Sequence, residues 1–323
     1  MPLLRLEHAS YRYSSGRPGV AGVTMDVEPG ERVALMGPNG SGKTTVLRLL
    51  TGELRAISGS VEVLGQPSAS LSADARRRMG VVAAETVHVD ELPARANAIF
   101  FARAAGLSLE DATAAVDRLF EVFDLSADEY ASPGEYSYGM RRKLLLVEAM
   151  AHEPDLLLLD EPSLGLDPQA RAALLDLLVS RSKGGATVVA ALNGPADALA
   201  LSSRVVFLHR GEVVADDTPD ALLGRLRKRT CIEIDVEGAA GGNPVYPDGV
   251  VVSETSGTLV ATSEFGPGIL PALCQSVLTT GRTIQAVRVK QPDLGDVFTH
   301  LTGEALKAPL DGPATLPEAA TPA

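Results

Sequence analysis

The 323-residue chain has no tryptophan, and only 4% of it is aromatic. Its interior must therefore be filled mainly by aliphatic side chains and alanine rather than by stacked rings. The two cysteines, Cys231 and Cys274, have no neighbours at metal-ligand spacing, which excludes a disulfide framework and a zinc site and leaves both as expected small buried hydrophobes. Long apolar runs are missing too. The longest, at 156–159 and 187–192, fall far short of the roughly 20 residues that a membrane-spanning helix needs. No charged start followed by an apolar stretch and a small-residue cleavage site is present, so the chain is expected to stay in the cytoplasm. Positive charge is in deficit, with 29 Lys and Arg against 41 Asp and Glu and a net charge of −12. A phosphate-backbone binder needs the opposite balance, so nucleic acid is not an expected partner. The basic run at 225–229 reads as a solvated face at a domain junction.

What is there is 45% hydrophobic and 22% charged, a soluble globular composition at a length suited to one large or two modest domains. Residues 3–28 alternate apolar and polar positions about a Ser14-Ser15-Gly16 turn, which predicts two paired strands. A short buried strand at 31–36 then runs into a glycine-rich turn, and from 44 to 50 the apolar spacing becomes helical. Strand-like material follows at 59–82, including Val61, Val63 and the run 79–82. Between 93 and 125 an alanine-rich stretch has a period near that of a helix, with Phe100, Phe101, Val116, Leu119, Phe120 and Phe123 as its apolar faces. Residues 156–159 and 188–192 read as fully buried parallel strands separated by a helix around 171–180, so the core is an α/β sandwich. Past residue 220 come short alternating strands at 231–236, 250–253, 259–262 and 284–289 with a helix at 269–278, a small α+β appendage. The end, rich in Pro, Ala and Thr without periodicity, reads as disordered, and no internal repeat is present.

The sharpest signal is Gly37-Pro38-Asn39-Gly40-Ser41-Gly42-Lys43-Thr44, between a strand and a helix. Glycines let the backbone wrap close enough for its N–H groups to point at phosphate oxygens, and the helix N-terminus adds positive potential. In this pattern Lys43 reaches the β- and γ-phosphates and Thr44 holds Mg²⁺ through its hydroxyl. A second element, the apolar run 156–159 ending in Asp160-Glu161-Pro162, puts carboxylates at the carboxyl edge of a parallel sheet, where ligands bind in open α/β folds. Asp160 is then expected to help hold Mg²⁺ and Glu161 to polarise an attacking water.

With these motifs the sequence resembles the nucleotide-binding subunit of ABC transporters over nearly all of residues 3–303. The family signature, Leu-Ser-Gly-Gly-Gln or close to it, is matched by Tyr136-Ser137-Tyr138-Gly139-Met140, with Tyr138 in place of the first glycine. The resemblance implies that Ser137 and Gly139 touch the γ-phosphate of ATP held by the opposite subunit of a head-to-tail dimer. It makes Tyr13 the ring that stacks on adenine and adds Thr45 to the nucleotide contacts. It makes Asp167, in the run Ser163-Leu164-Gly165-Leu166-Asp167, part of the coupling between two sites. The endings Leu294-Gly295-Asp296-Val297-Phe298 and Leu301-Thr302-Gly303 resemble the branch that exports drugs, antibiotics or lipids through separate permeases.

The implied architecture is α/β: a P-loop NTPase core with a β-rich N-terminal subdomain and an inserted helical subdomain, plus a small α+β C-terminal domain. In residues this is an ATP-binding domain at 1–220 with its helical subdomain at about 86–150, an accessory domain at 221–303 and a tail at 304–323. The implied partners are a membrane permease, received in a groove lined by residues 84–101, and a second copy or a homologous ATP-binding subunit; the implied place is the inner face of the membrane. Two further positions depart from the family. Ala83-Ala84-Glu85 stands where a glutamine is usual, and Asn193 stands in place of a histidine that contacts the γ-phosphate. Asparagine donates a neutral hydrogen bond and carries no positive charge, so the expectation is normal Mg-ATP binding with slow hydrolysis. Two other readings stay open: a soluble ATP-dependent switch without a permease, and a catalytically silent subunit that uses ATP only to stabilise a complex.

Overall fold

The computed structural model describes residues 1–83, 88–226, 230–238, 244–255, 257–263, 266–290 and 292–306. A six-stranded sheet runs in the order Glu212–Asp217, Arg204–His209, Arg32–Met36, Thr187–Leu192, Leu156–Asp160 and Met79–Val82. All neighbours are parallel except the first pair. The near-continuous apolar runs of its strands follow from burial on both faces. Alternation divides each strand between two cores: Ala34, Met36, Leu157, Leu159, Val188 and Ala190 face one, and Val33, Leu35, Leu156, Leu158, Val189 and Ala191 face the other.

The second of these cores is closed by the helix Lys43–Leu50 and by a four-stranded sheet that includes the antiparallel pair Leu4–Arg12 and Pro18–Val27. Helices close the first: Ala94–Ala104, Leu109–Val122, Tyr138–Met150 and Pro168–Lys183. The alanine-rich stretch forms two helices. The first ends at Ala105 and Gly106 adopts a φ of 113°; Ser108 then starts the second by accepting the Asp111 N–H at 3.0 Å. Phe120 and Phe123 are buried as expected, whereas the first helix turns Ala94, Asn97, Ala98 and Ala102 inward and leaves Phe100, on the opposite side, 55% exposed. A short helix at Ala73–Arg77, capped by Ser72, interrupts the strand material expected at 59–82.

Residues 230–290 build a separate four-stranded antiparallel sheet in the order Val250–Thr255, Thr258–Ser263, Thr230–Glu237 and Thr283–Lys290, with the helix Leu270–Leu278 against its apolar face. Cys274 is half-buried there and free; Cys231 lies in the strand Thr230–Glu237. The helix Leu294–Thr302, counted above with the accessory unit, does not pack on that sheet. Its Leu294, Val297 and Phe298 are fully buried in the first core, where the Phe298 ring meets Phe207 edge-on at 5.5 Å. A capping box between Asp293 and Asp296 starts this helix and Gly303 in the left-handed conformation ends it. The basic cluster is described only as far as Leu226, and of the tail residues 307–323 lie outside the described residues.

Because Phe298 fills the larger core from outside residues 1–220, Phe298→Ala is expected to destabilise that core by about 3–5 kcal/mol. Urea unfolding followed by circular dichroism measures this; an unchanged midpoint would mean that the helix only rests on the surface.

Candidate functional site

The loop at 37–42 leaves the end of the central strand Arg32–Met36 and enters the helix Lys43–Leu50. Two of its glycines are required by space as well as by conformation. Gly37 has a φ of 153°, and a Cβ there would stand 2.1 Å from the Leu208 carbonyl oxygen; Gly42 has a φ of 112°, and a Cβ would meet the Gly19 carbonyl oxygen at 2.8 Å. Lys43 folds back over this loop, its Nζ donating to the carbonyl oxygens of Gly37 at 2.7 Å and Pro38 at 3.3 Å. Burial pushes the ammonium below its usual range, an effect opposed by the carboxylates of Glu161 and Asp160. Ser41 is buried, and its Oγ has no hydrogen-bond partner among the described residues. A tightly wound backbone, a helix N-terminus, a buried ammonium and an unsatisfied hydroxyl together fit an anion of the size of phosphate.

Above the loop opens a groove of about 310 Å³, whose walls bring Tyr13, Asn39, Gly40, Gly42, Lys43, Thr44 and Thr45 together with Glu161. At one end the Tyr13 hydroxyl is 3.0 Å from the Thr45 hydroxyl, and the Tyr13 ring stands edge-on to Tyr11. Arg17, Pro18 and Gly19 complete the lining. These three were not expected from the sequence, although they follow Tyr13 in the same turn.

Glu161 closes the strand Leu156–Asp160 with a φ of 47°. A side-chain-bearing residue enters this left-handed region at a cost of about 1–2 kcal/mol, so its surroundings must hold it there. Three contacts do so. Its N–H donates to Ala191 O at 3.0 Å, its carbonyl accepts from Arg142 Nη2 at 2.8 Å, and its Oε1 accepts from Asn193 Nδ2 at 2.5 Å. Asn193, at the end of the neighbouring parallel strand Thr187–Leu192, thus bonds directly to the carboxylate expected to act on water. Asp160 is buried beside it, and its carbonyl also accepts from Arg142 Nη2.

Arg142 is a residue that sequence reasoning missed. It is 2% exposed, and its Nη1 reaches the Ala83 carbonyl at 2.8 Å, so one side chain joins the ends of the strands Met79–Val82 and Leu156–Asp160. The run Arg141-Arg142-Lys143 reads as solvated charge, yet Arg142 shares helical spacing with the buried Leu146 and Ala149, which is the signal that could have found it. Residues 84–87, which include Glu85, lie outside the described residues.

Ser137 caps the helix Tyr138–Met150, its Oγ accepting the Met140 N–H at 3.2 Å. Neither it nor Gly139 is among the residues that line the groove. Both belong to a helix start that packs on the loop after the acidic pair. A Cβ on Gly139 would lie 2.7 Å from the Gly165 carbonyl oxygen, and one on Gly165 would lie 2.4 Å from the Tyr138 ring, so the unusual tyrosine covers Gly165. Lys143 pairs with Asp167 at 2.9 Å, while Ser163 and Arg171 each donate to the buried Asp197 at 2.6 Å. Among the described residues no group of three His, Cys, Asp or Glu side chains is placed to hold a metal ion. A divalent cation here would take the Thr44 hydroxyl and a bound phosphate as ligands, with the buried Asp160 behind them, a set of oxygens suited to Mg²⁺.

Residues 20–164 match the model of the ABC transporter family. A Nod factor export ATP-binding protein I of Burkholderia pseudomallei (strain K96243) is 34% identical over 292 residues, covering 89% of this chain and 93% of the relative. The daunorubicin resistance ATP-binding protein DrrA3 of Streptomyces coeruleorubidus is 32% identical over 304 residues, 93% of this chain and 96% of its own. Among solved structures, an ATP-binding subunit of an ABC transporter superposes with a TM-score of 0.64 at 30% identity, over 69% of this chain and 93% of that one.

Removing Arg142 takes the donor from three strand-end carbonyls, that of Asp160 buried. Arg142→Leu is expected to cost about 3 kcal/mol or more, seen as a lower midpoint in chemical unfolding; a wild-type midpoint would show that solvent replaces the guanidinium freely.

Proposed function

The chain belongs to the ABC transporter family as an ATP-binding subunit of the exporter type, and from that premise we propose that it is the motor of an export complex, closing as a dimer around Mg-ATP and driving a separate permease. The observation that carries this is the convergence of an anion cradle, a buried lysine and a water-polarising carboxylate on one groove. The names of the two relatives, export of Nod factor and resistance to daunorubicin, support the direction of transport. Choice of cargo belongs to the permease.

In this reading the Tyr13 ring stacks on adenine, and Gly37, Pro38, Asn39, Gly40, Ser41 and Gly42 turn their backbone toward the phosphates. Lys43 exchanges its two carbonyl partners for phosphate oxygens, and Thr45 supports the Tyr13 end of the groove. Thr44 and Asp160 would hold a Mg²⁺ that arrives with the nucleotide, which would supply neutralising charge to the phosphate oxygens. Glu161 orients the attacking water and takes up its proton, and Asn193 keeps that carboxylate in place by the bond already present. Ser137 and Gly139, outside the groove of their own chain, serve the nucleotide of the facing subunit. ATP held between two subunits stabilises the closed dimer by mass action, and hydrolysis removes that contribution.

Among the described residues no helix is long and apolar enough to cross a membrane. In this reading a permease supplies the membrane attachment, at the cytoplasmic face. The exposed Val89 and Phe100, in the stretch 84–101, support docking there. Residues 1–220 with the helical subdomain at about 86–150 form the motor, and 221–303 add an accessory unit whose closing helix returns to it.

Asn193 orients Glu161 but brings no positive charge to the transferring phosphoryl group, so hydrolysis is slow. Asn193→His is expected to raise the Mg-ATP turnover of the purified chain by up to about a hundredfold, with Lys43→Ala and Glu161→Gln at background. A wild-type rate equal to those two variants would favour the catalytically silent subunit, and no gain in Asn193→His would remove the explanation for slow turnover.

A further inference from the structure

We propose that Arg17 is a phosphate-contacting residue of this groove and that it makes the site prefer a nucleoside triphosphate to a diphosphate. The inference rests on the nucleotide-binding reading above and deepens it.

Arg17 and Tyr13 face each other across one tight turn. The Tyr13 N–H donates to the Arg17 carbonyl at 3.0 Å, the Gly16 N–H donates to the Tyr13 carbonyl at 2.9 Å, and Gly16 takes a φ of 79° to close the turn. From this shared base the two side chains go to different parts of the phosphate loop. The Tyr13 hydroxyl reaches Thr45, in the helix. The Arg17 guanidinium reaches Gly40, in the loop itself, where its Nη2 lies 3.0 Å from the position that a Cβ would take. Gly40 leaves room for this approach because it has no side chain. With adenine at the Tyr13 end, the guanidinium stands toward the terminal phosphates.

An exposed arginine is most often solvated charge. Two features set this one apart. It lines an anion groove, and it has neither an ion pair nor a side-chain hydrogen bond among the described residues. The charges around it leave it work to do: Lys43 faces the carboxylates of Glu161 and Asp160, and Asn193 is neutral. With Arg17 the two cations balance the two carboxylates; without it negative charge is in excess where a triphosphate must bind. A guanidinium also presents paired N–H donors in a planar fork that matches phosphate oxygens. Its long side chain can shift onto a γ-phosphate without disturbing the loop, whereas a diphosphate ends short of it.

The test is equilibrium titration of the wild type, Arg17→Ala and Arg17→Lys with Mg-ATP and with Mg-ADP, alongside thermal unfolding without nucleotide. Arg17→Ala should weaken ATP binding by about tenfold or more and ADP binding by less than about threefold. Arg17→Lys should fall between wild type and Arg17→Ala, because it keeps the charge but not the fork. Melting temperature should not change, since the side chain holds no structural contact. Unchanged ATP affinity in Arg17→Ala, or an equal loss for ATP and ADP, overturns the inference while leaving the site reading intact. A wild-type chain that binds neither nucleotide overturns the site reading and this inference with it.

Discussion

The geometry of the groove depends on one buried guanidinium. Arg142 extends from the helix capped by Ser137 to carbonyl oxygens at the ends of two neighbouring parallel strands. A charge taken this far from water is tolerated only where its donors are used. The strand ends supply acceptors there because the ladder has run out of partners for them. The same contact helps hold Glu161 in its left-handed conformation, so the helix start and the carboxylate cannot move independently. In a dimer of the proposed kind, this is a direct physical link between the residues that meet the partner's nucleotide and the residue that acts on water in the chain's own groove. Ala83, the third acceptor, is the last described residue before 84–87.

Electrostatics at the groove are finely opposed. Lys43 is buried at a cost to its charge, and the two carboxylates that favour that charge are the ones that would repel a phosphate. An arrangement of this sort holds together without ligand and binds an anion only if further positive charge or backbone N–H groups are turned toward it. The loop's N–H groups meet part of that need, and the Ser41 hydroxyl and the Arg17 guanidinium are among the polar groups there that have no other partner among the described residues. Asn193 is a neutral donor, and its amide is used on the Glu161 carboxylate.

Tertiary packing also joins the two ends of the molecule. The small sheet of residues 230–290 has its own core, yet the chain leaves it and returns to bury Leu294, Val297 and Phe298 behind the strand Arg204–His209. That strand runs beside the phosphate-loop strand, and the Leu208 carbonyl is the group that leaves no room for a side chain at Gly37. The closing helix therefore stands behind the sheet edge on which the site is built, and Glu304, just beyond it, accepts from His209 at 3.1 Å and Arg210 at 2.5 Å in the same turn.

The α/β core and the family were legible from short segments because their signals are local. A phosphate loop needs glycine wherever the backbone must turn or come close, and a doubly covered parallel strand must be apolar at every position; both requirements are written within a few residues. Phe100 shows where side-chain type misleads: the face of its helix that packs inward carries Ala94, Ala98 and Ala102, and the larger aromatic ring lies on the other side. Arg142, Arg17 and the return of the closing helix were decided only by tertiary structure. Each depends on acceptors, open space or apolar surface supplied by segments far away along the chain. By itself the sequence determined that a strand, a glycine loop and a helix would form an anion site and that a strand would end in two acids. Only folding decided which side chains face that site and what holds them, because the groups that satisfy a buried charge or leave a cation free meet only when the sheet is assembled.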